Sequence, residues 1–338
     1  MLFRFLLLLI LLSEAYAEDF AGEAYLIQSS VADNGSAVAL PSHIYTASQY
    51  LDFPGDFGET RLFRVEMATL PLFSDLSQSL NGAITYALDR QTQLNFFGQT
   101  ITTSDIQSRP LLTGSTEDRL NDPSLRPAAC NGCTQFRDVV YMANINLMRK
   151  YDWEVPRIDI SSRPIPVQFS VGATTKYYYE ELEGGDYLSQ NLNADLGVAA
   201  KFLWGFDPIT KISDRNIKIQ FSGFELLPTK QKSDFSNVYV YEGLTRRWHL
   251  SASWEESLPE LNSTLAFGAN QETEQGQWPA LGVEWGFKDL LYLRGGYDAD
   301  YISAGASVVW RWVSIHYALR HHELGTSFYQ VSGQIQWP

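Results

Sequence analysis

Two cysteines stand close together as Cys130-Asn131-Gly132-Cys133. A thioredoxin-type redox pair at this spacing would need a helix N-terminus in a βαβ setting. A zinc site would need two further ligands, and no histidine lies nearby. In an exported, oxidising setting the pair reads as a small local disulfide. His249 and Ser251 lie two residues apart, as a nucleophile and its base could. On a strand, however, positions i and i+2 are about 6.5 to 7 Å apart along the backbone, and no carboxylate is placed to orient the ring. His321-His322-Glu323 offers metal-ligand types, but neighbouring residues of a strand point to opposite faces. A solvated loop fits that triplet better. No phosphate-cradling glycine motif or dinucleotide fingerprint occurs. Nothing here assembles into catalysis, and no cofactor is expected.

The other ionisable groups fall into a pattern. Lys176, Asp195, Lys201, Arg247, Glu255, Glu284, Arg294, Arg311 and Arg320, with His249 and His316, all sit on the polar phase of segments that alternate apolar and polar, and are expected to face inward and line a lumen. Leu281, Val283, Trp285 and Phe287 alternate with Gly282, Glu284, Gly286 and Lys288. Val313, Ile315, Tyr317 and Leu319 alternate with Ser314, His316 and Arg320. A period of two is the strand signature. The sequence carries fourteen such segments, nine before Leu281 and five from there onward. Helical periodicity is absent from all of them.

Composition narrows what a fourteen-strand protein can be. The 338 residues carry a net charge of −14, so no basic surface exists to neutralise nucleic-acid phosphates. Only 19% of residues are charged and 14% are aromatic. Arg4, the apolar run Phe5 to Leu12 and Ala15-Tyr16-Ala17 form an export signal over residues 1–17. After it, no run of about 18 apolar residues could cross a bilayer as a helix. If the chain spans a membrane it does so as a closed barrel, the other arrangement that satisfies every backbone group.

Loop lengths and aromatics support that architecture. Short connections fall at Asp89-Arg90, Ser257 to Glu260, Lys288-Asp289 and Arg311-Trp312. Long ones fall at Ser104 to Gln135, Leu226 to Thr245, Asn270 to Pro279 and His321 to Thr326. Counting strands in order, the short turns share one side and the long loops the other, as in outer-membrane barrels. Lys150 to Ile165 and Gly205 to Arg215 are long for the short side. Trp204, Trp254, Phe287, Trp310, Trp312 and Trp337 fall at the short-turn ends of their strands. Tyr177, Tyr179, Trp248, Tyr297, Tyr301 and Tyr329 fall near the opposite ends, giving two aromatic girdles.

The reading is therefore an all-β transmembrane antiparallel up-and-down barrel over residues 60–338, preceded by an irregular segment over 18–59. Asp33-Asn34-Gly35-Ser36, Leu40-Pro41-Ser42 and Phe53-Pro54-Gly55 break any pattern there, so that segment is expected to be a plug in the lumen or a periplasmic tail. An even strand count places both termini in the periplasm of a Gram-negative-type cell. The acidic residues Glu180, Glu181, Glu183, Asp186, Glu272 and Glu274 are expected in loops.

The stretches Phe169 to Tyr177, Leu192 to Val198, Leu281 to Tyr297, Ile302 to Val308 and Val313 to Ala318 resemble the FadL-like outer-membrane barrels of the PorV/PorQ type. The resemblance covers the C-terminal half well and the N-terminal half loosely. Two features depart from it. Ala37 to Ser42 stands where the family has Asn-Pro-Ala-Gly, and Trp337 is followed by Pro338 instead of ending the chain. The resemblance implies a fourteen-stranded barrel. It also implies either passage of small hydrophobic molecules or a non-catalytic part in protein secretion and surface display, with Ser104 to Gln135 as the contact surface. Partners would then be outer-membrane lipid, a hydrophobic solute, a secreted protein or a secretion machine. An outer-membrane hydrolase is the least supported alternative.

Overall fold

The structure, a computed structural model, describes residues 46–57, 63–72, 77–107, 135–155, 165–183, 188–205, 213–227, 233–235, 238–240, 246–272, 279–298, 301–322 and 327–337. The expected export signal, the Cys130–Cys133 pair and most of Ser104 to Gln135 lie outside these residues.

Alternation produces strands wherever it was found. In chain order they are β1 (Phe63–Leu72), β2 (Ser77–Ala87), β3 (Thr92–Gln107), β4 (Gln135–Val155), β5 (Ile165–Glu183), β6 (Leu188–Trp204) and β7 (Arg215–Phe224). A small hairpin follows, made of β8 (Ser233–Phe235) and β9 (Val238–Val240). Then come β10 (Arg247–Leu258), β11 (Ser263–Glu272), β12 (Ala280–Phe287), β13 (Leu291–Tyr297), β14 (Tyr301–Trp310), β15 (Val313–His322) and β16 (Ser327–Trp337). All but β8 and β9 join one closed antiparallel barrel of fourteen strands, nine before Leu281 and five after. The first and last strands close it, from Phe63↔Trp337 to Thr69↔Val331. Closure leaves no unpaired edge, which an open sheet in lipid could not tolerate.

The faces are inverted relative to a water-soluble protein. Ile315 is 58% exposed and Tyr317 42% exposed, whereas His316 between them is 0% exposed. Met67, Leu80, Ile145, Leu196, Phe267 and Leu293 are likewise exposed on the outside. Asn95, Asn146, Asp195, Glu284, Arg294 and Gln334 are buried on the inside. An apolar exterior around a polar interior is stable where the exterior solvent is hydrocarbon. Trp153, Trp254, Trp285, Trp310, Trp312 and Trp337 ring one end of the exterior, and Tyr141, Tyr177, Trp248, Tyr297 and Tyr329 the other.

The short turns gather at one end, with backbone chemistry suited to tight reversal. Lys288, Asp289 and Arg311 take φ of 54°, 53° and 58°, and Asn262 takes 47°. In the β2–β3 turn, the Gln91 and Thr92 N–H groups donate to Asp89 Oδ1 at 2.6 and 2.7 Å. These amide hydrogen bonds, Gln91's first, hold the Asp89 carboxyl below its usual range. On the other side β4 and β5 run longer than a bilayer needs. At roughly 3.4 Å per residue, the 21 residues of β4 extend about 70 Å, so the wall projects well beyond the hydrocarbon. This corrects the placement of Glu180, Glu181 and Glu183, which belong to β5 and pair with β4 (Glu183 opposite Arg137), and of Glu272, which ends β11. Period-two alternation weakens above the membrane, where both faces meet water, so the sequence pattern stops before the strand does.

Candidate functional site

The interior is where chemistry-bearing side chains converge, and residues 46–57 are folded into it. Every residue of that segment is buried. It makes one 3₁₀ turn at Gln49–Leu51 and then runs through Phe53-Pro54-Gly55, irregular as its sequence implies. Inward side chains from around the barrel hold it. The Ala47 N–H donates to Gln334 Oε1 of β16 at 2.8 Å. The Ser48 N–H and hydroxyl donate to Glu66 Oε2 of β1 at 2.9 and 2.6 Å. Asn146 of β4 donates to the Pro54 carbonyl at 3.2 Å, and Ser170 of β5 to the Gly55 carbonyl at 2.6 Å. Lys218 of β7 pairs with Asp56 at 2.8 Å. Phe53 stacks on His249 of β10, ring centroids 5.5 Å apart.

Two wall glycines form the seat. Gly172 and Gly197 face each other across β5 and β6. A Cβ on Gly172 would lie 1.7 Å from the Pro54 carbonyl oxygen, and one on Gly197 would lie 2.4 Å from the Gly55 nitrogen. Neither space could hold a side chain. The wall is therefore notched where the Pro54-Gly55 peptide rests.

A second cluster lies next to the seat. Lys176 Nζ is 2.8 Å from Asp195 and 2.9 Å from Glu225, with all three side chains buried. The Glu225 N–H also donates to Asp195 at 3.1 Å. Lys176 and Arg247 both lie over the Phe224 ring, at 5.6 and 5.4 Å. Arg247 pairs with Glu272 at 2.6 Å. On the far wall, Arg294 pairs with Glu284 at 2.5 Å and donates to Ser307 at 2.6 Å. Ser307 and Ser314 bond the two ring nitrogens of His316 at 2.8 and 2.9 Å. Both nitrogens being engaged, the ring is fixed between β14 and β15.

The remaining candidates are placed as follows. Lys201 is half-buried opposite Lys218. Glu255 is half-buried and accepts from Asn216 at 2.9 Å. Arg320 pairs with Asp298 at 2.6 Å and lies 4.4 Å from the Tyr301 ring centroid. Ser251 donates to Gln220 at 2.9 Å. Arg311 is not brought to the interior. It takes the left-handed position of the β14–β15 turn, exposed, with its guanidinium over Trp310, because a two-residue reversal needs that backbone more than the wall needs the charge. Sequence reasoning missed Glu66, Asp56, Lys218 and Glu225. Period two does place Glu66 and Lys218 inward, but their partners are set by the path of 46–57, and Asp56 is 162 residues from Lys218.

No protein-family model matches the chain, and no curated protein matches it. Solved structures similar to it include the toluene transporter TodX of Pseudomonas putida, at 9% identity and TM-score 0.47, covering 92% of this chain and 98% of that one. A FadL homologue of Pseudomonas aeruginosa matches at 9% identity and TM-score 0.42, over 92% and 98% of the two chains. The translocator domain of the autotransporter NalP from Neisseria meningitidis matches at 10% identity and TM-score 0.33, over 84% and 90%.

Proposed function

We propose that this chain is an outer-membrane channel or transporter for small molecules, of the FadL-like kind, with residues 46–57 acting as a plug. The observation that carries this reading is the plug's environment. An apolar-outside barrel encloses a short segment held by inward polar groups of β1, β4, β5, β7 and β16. A purely structural core would be better served by apolar packing, because each buried polar group must be matched to avoid a desolvation cost. A polar, hydrogen-bonded lumen instead exchanges its partners with water or solute at similar energy. Phe57 and Phe97 pack with Ala47, Tyr50, Leu51, Ala83 and Met148 in a buried apolar cluster, surroundings that would favour a small hydrophobic solute where the segment shifts.

Liposomes carrying the purified protein test the reading. Uptake of a small hydrophobic solute such as an alkylbenzene should exceed that of empty liposomes. Uptake equal to the empty-liposome control overturns it.

A further inference from the structure

The inward positions of the barrel are not equally covered. Most of those on β1 to β5 are buried, several of them against segment 46–57. One row of the hydrogen-bond ladder is different. It begins with Gln168 of β5, opposite Lys201 of β6, which is in turn opposite Lys218 of β7. From Lys218 the row continues through Ser253, Gly268, Gly282 and Gly296, on β10 to β13 in turn. Every one of these residues is half-buried.

The rows on either side are closed. Toward the long loops, Ala199, Gln220, Ser251, Asn270 and Ala280 form the adjacent inward row, and all are buried. Toward the short turns, Leu203, Asn216, Ala266, Glu284 and Arg294 are buried as well, with Glu255 half-buried among them. The open row also has a direction. Lys201 is three residues from the short-turn end of β6, whereas Gly296 is one residue from the long-loop end of β13, where the half-buried run stops against buried Ser303 of β14. A ladder row runs perpendicular to strands that are themselves tilted, so in a barrel it climbs from one rim to the other.

We infer that this row is the floor of a spiral lane through which water and small uncharged solutes cross the barrel beside the seated segment 46–57. The inference rests on the channel reading above. Above Lys201, which brings a positive charge to the lower end, the chemistry of the floor suits uncharged cargo. Lys218 at the lower end is neutralised by Asp56, and beyond the upper end Arg320 is neutralised by Asp298. Between them, three successive strands contribute glycine, which leaves width and no charge.

Cysteine labelling of the full chain in lipid bilayers tests the lane, in a background where Cys130 and Cys133 are replaced by serine. Ser253→Cys and Gly282→Cys should react with a membrane-impermeant methanethiosulfonate roughly tenfold or more faster than Ser251→Cys and Ala280→Cys, because thiol reactivity follows exposure. Equal rates, or faster reaction at 251 and 280, overturn the lane. A second arm uses Gly282→Phe, which should cut small-solute uptake severalfold while the variant and the wild type show the same shift in gel mobility on boiling, the mark of an assembled barrel. Unchanged uptake by a correctly assembled Gly282→Phe barrel also overturns it. Labelling reads water access and not transport, so expected labelling in a wild-type protein that takes up no solute would remove the channel reading and the solute part of the inference, and leave the row as a water path only.

Discussion

Removing residues 46–57 is expected to raise the single-channel conductance of the barrel severalfold in planar bilayers. The segment is buried along its whole length and is tied to the wall by Gln334, Glu66, Asn146, Ser170 and Lys218. None of its twelve residues contributes to the ladder that closes the barrel, so deletion should leave the wall intact. Single wall substitutions should do much less. A hydrogen bond is worth about 1 kcal/mol net, so the bonds from these five wall residues with the packing of Phe53 hold the segment by several kcal/mol, and loss of one residue's contribution leaves it seated. Gly172→Val is the exception among point variants, because the new side chain would occupy the place of the Pro54 carbonyl itself. Its conductance should approach that of the deletion. Wild-type conductance in both variants would show that 46–57 does not obstruct the lumen.

Lys176→Met should lower the unfolding free energy by about 3 to 5 kcal/mol, measured by urea unfolding in detergent micelles. The substitution keeps an unbranched side chain of similar volume and removes its charge, which leaves Asp195 and Glu225 buried side by side with no cation on them. Arg247 cannot compensate, since its guanidinium is already held by Glu272. Because the loss comes from stranded charge and not from lost attraction, neutralising all three groups should restore most of it. The triple variant Lys176→Met, Asp195→Asn, Glu225→Gln is expected within about 1 to 2 kcal/mol of wild type, as for other buried ionic groups replaced together. A Lys176→Met protein as stable as wild type would mean that water reaches the carboxylates.

These two expectations rest on two kinds of feature of the chain, one local and repeated and the other set by tertiary contacts. Strand number and order follow from period-two patterning that is local and repeated, as in Leu281 to Phe287 and Val313 to Leu319. The same patterning puts Lys176, Asp195, Glu284, Arg294 and His316 inside, since lipid excludes them from the other face. It cannot say which inward groups meet. Lys176 meets Asp195 because β5 and β6 are adjacent, but it meets Glu225 only through the left-handed turn of the backbone at that residue, φ 55°. Segment 46–57 has no period at all, so its sequence left a plug and a periplasmic tail both open. Gly172 and Gly197 share the inward phase of their strands with Lys176 and Asp195, yet a notch is recognisable only once the peptide that fills it is present. Arg311 fits both the polar phase and the turn, and the turn prevailed.

The central claim is that an inverted barrel stands in a membrane, and nitroxide scanning of β15 tests it most directly. Spin labels placed one at a time from Val313 to Arg320 report collisions with oxygen, which concentrates in hydrocarbon. Accessibility should alternate with period two, high at Val313, Ile315, Tyr317 and Leu319 and low at Ser314, His316, Ala318 and Arg320. A flat profile along the strand, or high oxygen accessibility at the even positions, would contradict it.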